Sequence, residues 1–103
     1  MKIKHWQGYG SVTAKKVSKT TGKNEYDRKY TKLVVEVKGM HEWGLEMKDP
    51  YGVFNWLVKR FDKTAVDYFA YSEVNVKTED NYVKEGGLDI EVCKYTITYI
   101  EKY

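Results

Sequence analysis

Two histidines, His5 and His41, and one cysteine, Cys93, are the side chains whose types could carry metal or nucleophilic chemistry. Zinc sites are normally built from ligands paired a few residues apart, and these three are scattered singletons. His41-Glu42 opens like the helical motif of zinc proteases, but Leu45 stands where the second histidine is required. Adjacent residues of a strand also point to opposite faces, so His41 and Glu42 cannot act together on one substrate atom. No Ser-His-Asp or Cys-His pattern is recognisable. Gly8-Tyr9-Gly10 lacks the third glycine of a dinucleotide loop, Thr13 standing there, and no helix follows. These residues point to no catalysis, no metal and no cofactor. His41 reads as a histidine satisfied at the rim of the core, and Cys93 as a small buried apolar group.

Binding chemistry is better represented. Ten Tyr, three Trp and three Phe make up 16% of the chain. Lys4, Trp6, Tyr9, Lys15 and Lys16 fall on one hairpin arm, and Arg28 and Tyr30 lie beyond its tip. Lysines there can contact phosphates, and exposed rings can stack on bases. The same lysines can instead block edge-to-edge strand pairing, and Trp6 on a strand can be core. Arginine, favoured for base reading, is confined to Arg28 and Arg60. Tyrosine and tryptophan also dominate protein interfaces. A core of this size cannot satisfy ten buried tyrosine hydroxyls, which leaves Tyr26, Tyr30, Tyr51, Tyr82, Tyr99 and Tyr103 expected at least partly exposed.

Charge is distributed unevenly. Residues 1–38 carry ten Lys/Arg against three acids, +7; residues 39–63 balance; residues 64–103 carry four lysines against eight acids, −4. Such polarity marks either a nucleic-acid surface at the basic end or first and last strands that neutralise each other side by side.

The elements that must position these groups follow from period and punctuation. At 103 residues, 42% hydrophobic and 32% charged, the chain is one domain, 1–103. Residues 2–17 read as a strand interrupted at Gly8-Tyr9-Gly10 by a bulge or close backbone approach. The polar stretch Ser18 to Lys29 reads as a loop at the tip of a long hairpin. Tyr30 to Lys38 alternates with Leu33, Val35 and Val37 inward, and Gly39-Met40 turns into a strand over His41–Met47. Asp49-Pro50 caps a helix from about Pro50 to Phe61, whose stripe is Val53, Phe54, Leu57, Val58 and Phe61, widened by Trp56. Residues 65–78 read as a strand with apolar groups on both faces. Glu79 to Gly87 reads as a charged loop and Leu88 to Tyr103 as a last strand, with a bulge near Cys93-Lys94 to reconcile its two apolar parities. The expected fold class is α+β, a five-stranded, mainly antiparallel sheet in the order β-β-β-α-β-β with the helix packed on one face. No run reaches the ~20 apolar residues of a membrane span, the N-terminal residues lack a signal-peptide pattern, and one cysteine excludes an internal disulfide. A cytosolic location is expected.

Lys4-His5-Trp6-Gln7-Gly8-Tyr9-Gly10, His41-Glu42-Trp43-Gly44-Leu45 and Trp56-Leu57-Val58-Lys59-Arg60-Phe61-Asp62 together resemble small accessory proteins carried by phages and mobile elements of Gram-positive bacteria. The resemblance spans most of the chain and brings no activity or residue roles with it. It implies a host-directed protein that binds, and in doing so inhibits, a host protein. The sequence therefore favours a non-catalytic protein-binding module. Nucleic-acid binding through the basic, aromatic hairpin is the alternative, and homodimerisation stays open.

Overall fold

The computed structural model describes residues 1–102, with the backbone alone at His41. Five strands, β1 (Lys2–Lys4), β2 (Ser11–Lys23), β3 (Lys29–Met40), β4 (Tyr71–Glu85) and β5 (Leu88–Glu101), form one antiparallel sheet in the order β1-β2-β3-β5-β4. One helix, α1 (50–61), joins β3 to β4 and covers one face. The α+β class and the β-β-β-α-β-β order are those expected. Several strands differ from expectation in instructive ways.

Gly8-Tyr9-Gly10 reverses the chain rather than bulging it. Gly8 takes φ 82° and Gly10 φ 158°. His5 N–H bonds Gly10 O at 2.7 Å and Gly8 N–H bonds His5 O at 2.8 Å. The expected first strand is thus two, β1 folded back on β2 with Ile3 opposite Val12. The bulge of this region lies at Val17, between Lys16 and Ser18. The loop expected over Ser18 to Lys29 shrinks to its tip, because Thr20 and Thr21 suit a strand and keep pairing with Lys32 and Thr31. Asn24 closes that tip, its Oδ1 accepting the N–H groups of Tyr26 and Arg28 at 3.0 Å.

The strand expected over His41–Met47 does not form. β3 runs straight through Gly39 and Met40, which pair with Glu91 and Ile90. The chain then makes one 3-10 turn, His41–Trp43, and Gly44 takes φ 66°. Beyond it the extended backbone is held by side chains instead of a ladder. Leu45 N–H bonds Glu91 Oε1 at 3.1 Å, Met47 N–H bonds the Tyr95 hydroxyl at 2.8 Å, and that hydroxyl donates to Leu45 O. The alternation correctly marks which residues face the core, since Leu45 is buried and Trp43 and Met47 pack on it.

α1 is built as expected from the Asp49 cap, whose Oδ2 accepts Gly52 N–H at 3.2 Å, and from Pro50 in its first turn. Its contiguous segments are Pro50–Val53, a wider π-type turn Phe54–Val58, and Lys59–Phe61. Val53, Phe54, Leu57 and Val58 are fully buried against Leu33, Val35, Val37, Cys93, Tyr95, Ile97 and Tyr99 of the sheet.

β4 begins later and ends later than its pattern suggests. A 3-10 turn, Tyr68–Ala70, precedes it. The expected loop over Glu79 to Gly87 reduces to Gly86-Gly87, whose φ values of 56° and 80° make the tight two-residue turn that matches strand twist. No bulge occurs near Cys93-Lys94: the pairing of β5 with β3 is unbroken, and Ile90 and Val92 lie on the outer face. The first and last strands are not neighbours either, because β5 is internal. Charge is instead balanced between β2 or β3 and the acidic second half, through Lys19–Asp62, Lys29–Glu101 and Lys38–Glu85. The molecule measures 50 × 23 × 20 Å, so the twelve-residue helix, about 18 Å long, is far shorter than the molecule's longest dimension.

Candidate functional site

The hairpin β2–β3 spreads the seven residues of the basic-aromatic reading along its length. Lys4 lies on β1 and Trp6 and Tyr9 in the turn that follows, whereas Arg28 and Tyr30 lie at the far tip. The thirteen residues of β2 separate these groups by about 40 Å. Lys15 faces the outer side, opposite Glu36, and Lys16 the helix side, opposite Val35. No single surface collects all seven. Arg28 donates to Glu101 O at 3.0 Å, and the Tyr30 ring lies over Gly22, where an added Cβ would come 2.8 Å from its hydroxyl. Trp6 is half-buried, with its indole N–H on Gly44 O at 3.3 Å. What remains together is a group of three: Lys4 and Lys15, with Lys2, on the outer side of the β1–β2 edge. None of these lysines closes an ion pair among the described residues, although Lys15 stands across the ladder from Glu36.

His5 is buried and fully engaged. Its Nδ1 accepts Gln7 N–H at 2.9 Å, so the proton sits on Nε2, which donates to Gly44 O at 3.0 Å. Its ring lies 5.4 Å from Trp6, 5.2 Å from Tyr9 and 6.2 Å from Trp43. Gly10 is required here, since a Cβ would come within 2.8 Å of Trp43. This cluster clamps the N-terminal turn to the turn after β3. The side chain of His41 lies outside the described residues. Among the described residues no three His, Cys, Asp or Glu side chains converge as metal ligands. Burial pushes the Cys93 thiol well above its ordinary range, and Asp80 across the ladder adds to that shift, so it is held as an unreactive thiol.

A second buried group, Asp62, fastens the end of α1 to the sheet. Its carboxylate accepts from Lys19 Nζ at 2.7 Å, Thr64 N–H at 3.0 Å, Thr64 Oγ1 at 2.6 Å and the Tyr99 hydroxyl. Burial alone would raise its pKa. The Lys19 ammonium and the Thr64 and Tyr99 donors outweigh that effect and hold it far below the usual carboxylate range. Lys19 therefore belongs to this anchor rather than to a basic surface. Tyr99, expected to be partly exposed, is buried for the same reason: its hydroxyl has this partner.

The most distinctive surface is aromatic. Phe54, buried in the core, meets the rings of Tyr99 at 5.7 Å, Tyr71 at 5.4 Å and Tyr68 at 5.7 Å. Tyr68 continues to Tyr51 at 5.3 Å and Phe69 at 5.2 Å, and Tyr51 and Phe69 meet at 5.7 Å. Along this series the rings pass from core to solvent: Phe54 is 0% exposed, Tyr51 48% and Phe69 69%. Val66, on the same crossing, is also exposed. The crossing is pinned by Lys59–Asp67 at 3.0 Å, by Ala70 N–H on Asp67 O at 2.9 Å and by Val66 N–H on the Tyr71 hydroxyl at 3.2 Å. The result is a fixed ledge of rings at the start of α1 and of β4. Sequence reasoning places Tyr51 at the surface but misses Tyr68 and Phe69 as its companions. The available signal is the presence of apolar residues on both parities of 65–78. Tyr26 and Tyr82 are exposed as expected, yet Tyr26 sits on the distant hairpin tip, so the surface tyrosines do not form one patch. Tyr103 lies outside the described residues.

Comparison with protein-family models, curated proteins and solved structures finds no match to this chain. Among the described residues no helix is long and apolar enough to cross a membrane.

Proposed function

We propose that this chain is a non-catalytic binding module that docks a partner protein through the ledge of Tyr51, Tyr68 and Phe69. The observation that carries this reading is Phe69, 69% exposed at the end of ring contacts rooted in the buried Phe54. Contiguous apolar surface left in water favours association. Rings already fixed by neighbours lose little conformational freedom on binding, which is the condition for an interface hot spot. The partner expected, from the resemblance to phage and mobile-element accessory proteins, is a protein of the bacterial host met in the cytosol, and docking would inhibit it.

One observation supports a second reading. Lys2, Lys4 and Lys15 share the outer side of the β1–β2 edge and close no ion pair among the described residues. Such a strip suits a phosphate backbone.

The test is affinity capture from a Gram-positive bacterial lysate, with and without nuclease. A specific protein retained by the wild type after nuclease, and lost with Tyr51→Ser/Phe69→Ser, is the expected result. Recovery of nucleic acid, with all proteins lost on digestion, would replace the ledge by the lysine strip.

A further inference from the structure

The sheet ends in two very different edges. β1 pairs with β2 over Ser11–Thr13, Met1 adds backbone bonds to Ala14, and beyond these no strand pairs with that edge of β2 among the described residues. That free edge carries the bulge at Val17 and the exposed Lys15, Lys16 and Lys23, devices that block strand addition. β4 forms the opposite edge. It is fifteen residues long, contains no proline, and after Glu73 it is paired with β5 without interruption as far as Glu85. Its cations are Lys77 and Lys84. Lys77 is exposed and has no acidic partner among the described residues.

We infer that β4 pairs antiparallel with β4 of a second copy about a two-fold axis at Thr78, joining two five-stranded sheets into one of ten. Thr78 is the midpoint of Tyr71–Glu85. The register therefore uses the whole strand, and residues of one parity meet the same parity, so that each face continues across the axis. On the outer face Lys77 meets Glu79 of the second copy and Glu79 meets its Lys77, while Asn75 meets Asn81. On the helix side Val74 meets the exposed Tyr82, Val76 meets Asp80, and Thr78 meets itself. No like charges stand opposite each other. Shifting the two-fold by one residue either way, which changes the partner by two, sets Lys77 against Lys77 or Glu79 against Glu79, an unfavourable cross-strand pair.

The row that Glu79 belongs to makes the complementarity more specific. Across the outer face run Lys15, Glu36, Lys94 and Glu79, each opposite the next on the neighbouring strand, with Lys94 and Glu79 at 3.5 Å. The row alternates in sign and stops at a free edge on an acid. Lys77 of the second copy adds the next cation. A local contact must give way: Tyr82 N–H bonds the side chain of its neighbour Asn81 at 3.0 Å. In the dimer Asn81 has Asn75 opposite it instead. This surface is separate from the ring ledge, so the pairing stands whether or not the ledge docks a host protein.

Sedimentation equilibrium of the full chain from 1 to 300 µM, together with oxidation of a Thr78→Cys variant, tests the pairing. A dimer is expected, and Thr78→Cys should give a disulfide-linked dimer, because Cys93 is buried and only the residue on the axis meets itself. Lys77→Glu, an exposed change that should leave the circular dichroism spectrum intact, should weaken dimerisation at least tenfold. Lys77→Glu/Glu79→Gln should recover part of that loss, since it removes the meeting of like charges across the two-fold without setting a second cation against Lys94. A chain that is monomeric throughout overturns the proposal. So does a dimer unaffected by Lys77→Glu whose Thr78→Cys form does not cross-link.

Discussion

Asp62 concentrates more of the fold in one side chain than any other polar residue. It holds Lys19 of the hairpin, Thr64 after the helix and Tyr99 of the central strand at once. Removing one member of such a buried network typically costs several kcal/mol; for Asp62→Ala we expect a loss of about 3 kcal/mol in urea unfolding. The carboxyl pKa is depressed from 3.8 in the folded state. Its stabilisation is therefore complete well above pH 3.8 and disappears as pH falls from there toward the folded value. Urea midpoints measured between pH 6 and 2 should fall more steeply for the wild type than for Asp62→Asn. Tyr95 and Tyr99 give the opposite slope at the alkaline end. Burial raises both hydroxyls well above their ordinary 10, and Asp62 adds to the effect at Tyr99. The neutral forms are favoured by folding, so stability is intact below pH 10 and declines as pH climbs beyond it. In an alkaline titration followed at 295 nm, these two tyrosines should ionise only together with loss of the near-ultraviolet dichroism.

At the scale of elements, the β4–β5 hairpin depends on two consecutive residues with positive φ, Gly86 and Gly87. Each alanine placed there costs about 1 kcal/mol, so Gly86→Ala/Gly87→Ala should lower stability by roughly 2 kcal/mol with no change in the m-value. How much of this architecture was legible can be judged element by element. α1 was readable in full because cap, proline and apolar stripe agree with one another. The inward set Leu33, Val35 and Val37 was readable because strict alternation has only one meaning. His41–Met47 misled for a physical reason: period 2 reports an extended, half-buried chain but not the identity of its hydrogen-bond partners. Here those partners are the side chains of Glu91 and Tyr95, some fifty residues away. Polar tracts misled in the other direction. Glu79 to Glu85 and Ser18 to Lys23 read as loops by composition, yet they are strands, because one side of the sheet is open to water and tolerates Lys, Glu and Thr.

Viewed as a whole, the molecule is a long sheet with one apolar face covered by a short helix and one polar face left open. The outer face holds a concavity of about 680 Å³ over Lys32, Lys77, Glu79, Lys94, Thr96 and Thr98, a shallow surface of charges and hydroxyls. Apart from Tyr26, Tyr30 and Tyr82, the described aromatic residues divide between the core, the clamp around His5 and the ledge at Tyr51, Tyr68 and Phe69. The basic-aromatic set singled out from the sequence is spread along the hairpin, because spacing along a hairpin is not proximity across it. Ledge members were hard to see because Phe69 reaches Tyr51 only once the chain has crossed back over the helix start. Truncating the ledge should leave the fold in place. Phe69→Ser is expected to change stability by less than about 1 kcal/mol, as its ring is mostly in water, with thermal melting as the check.

The measurement that bears most directly on the proposed docking is a calorimetric titration of the captured host protein against three forms of the chain: wild type, Tyr51→Ser/Phe69→Ser and Lys4→Glu/Lys15→Glu, at 0.1 and 0.5 M salt. Two hot-spot rings worth about 2 kcal/mol or more together correspond to a loss of at least ~30-fold in affinity. We expect that loss for the ledge variant, a change of less than about threefold for the lysine variant, and little dependence on salt. Equal affinity of the ledge variant and the wild type, or a steep fall with salt accompanied by loss in the lysine variant, would contradict docking through the rings.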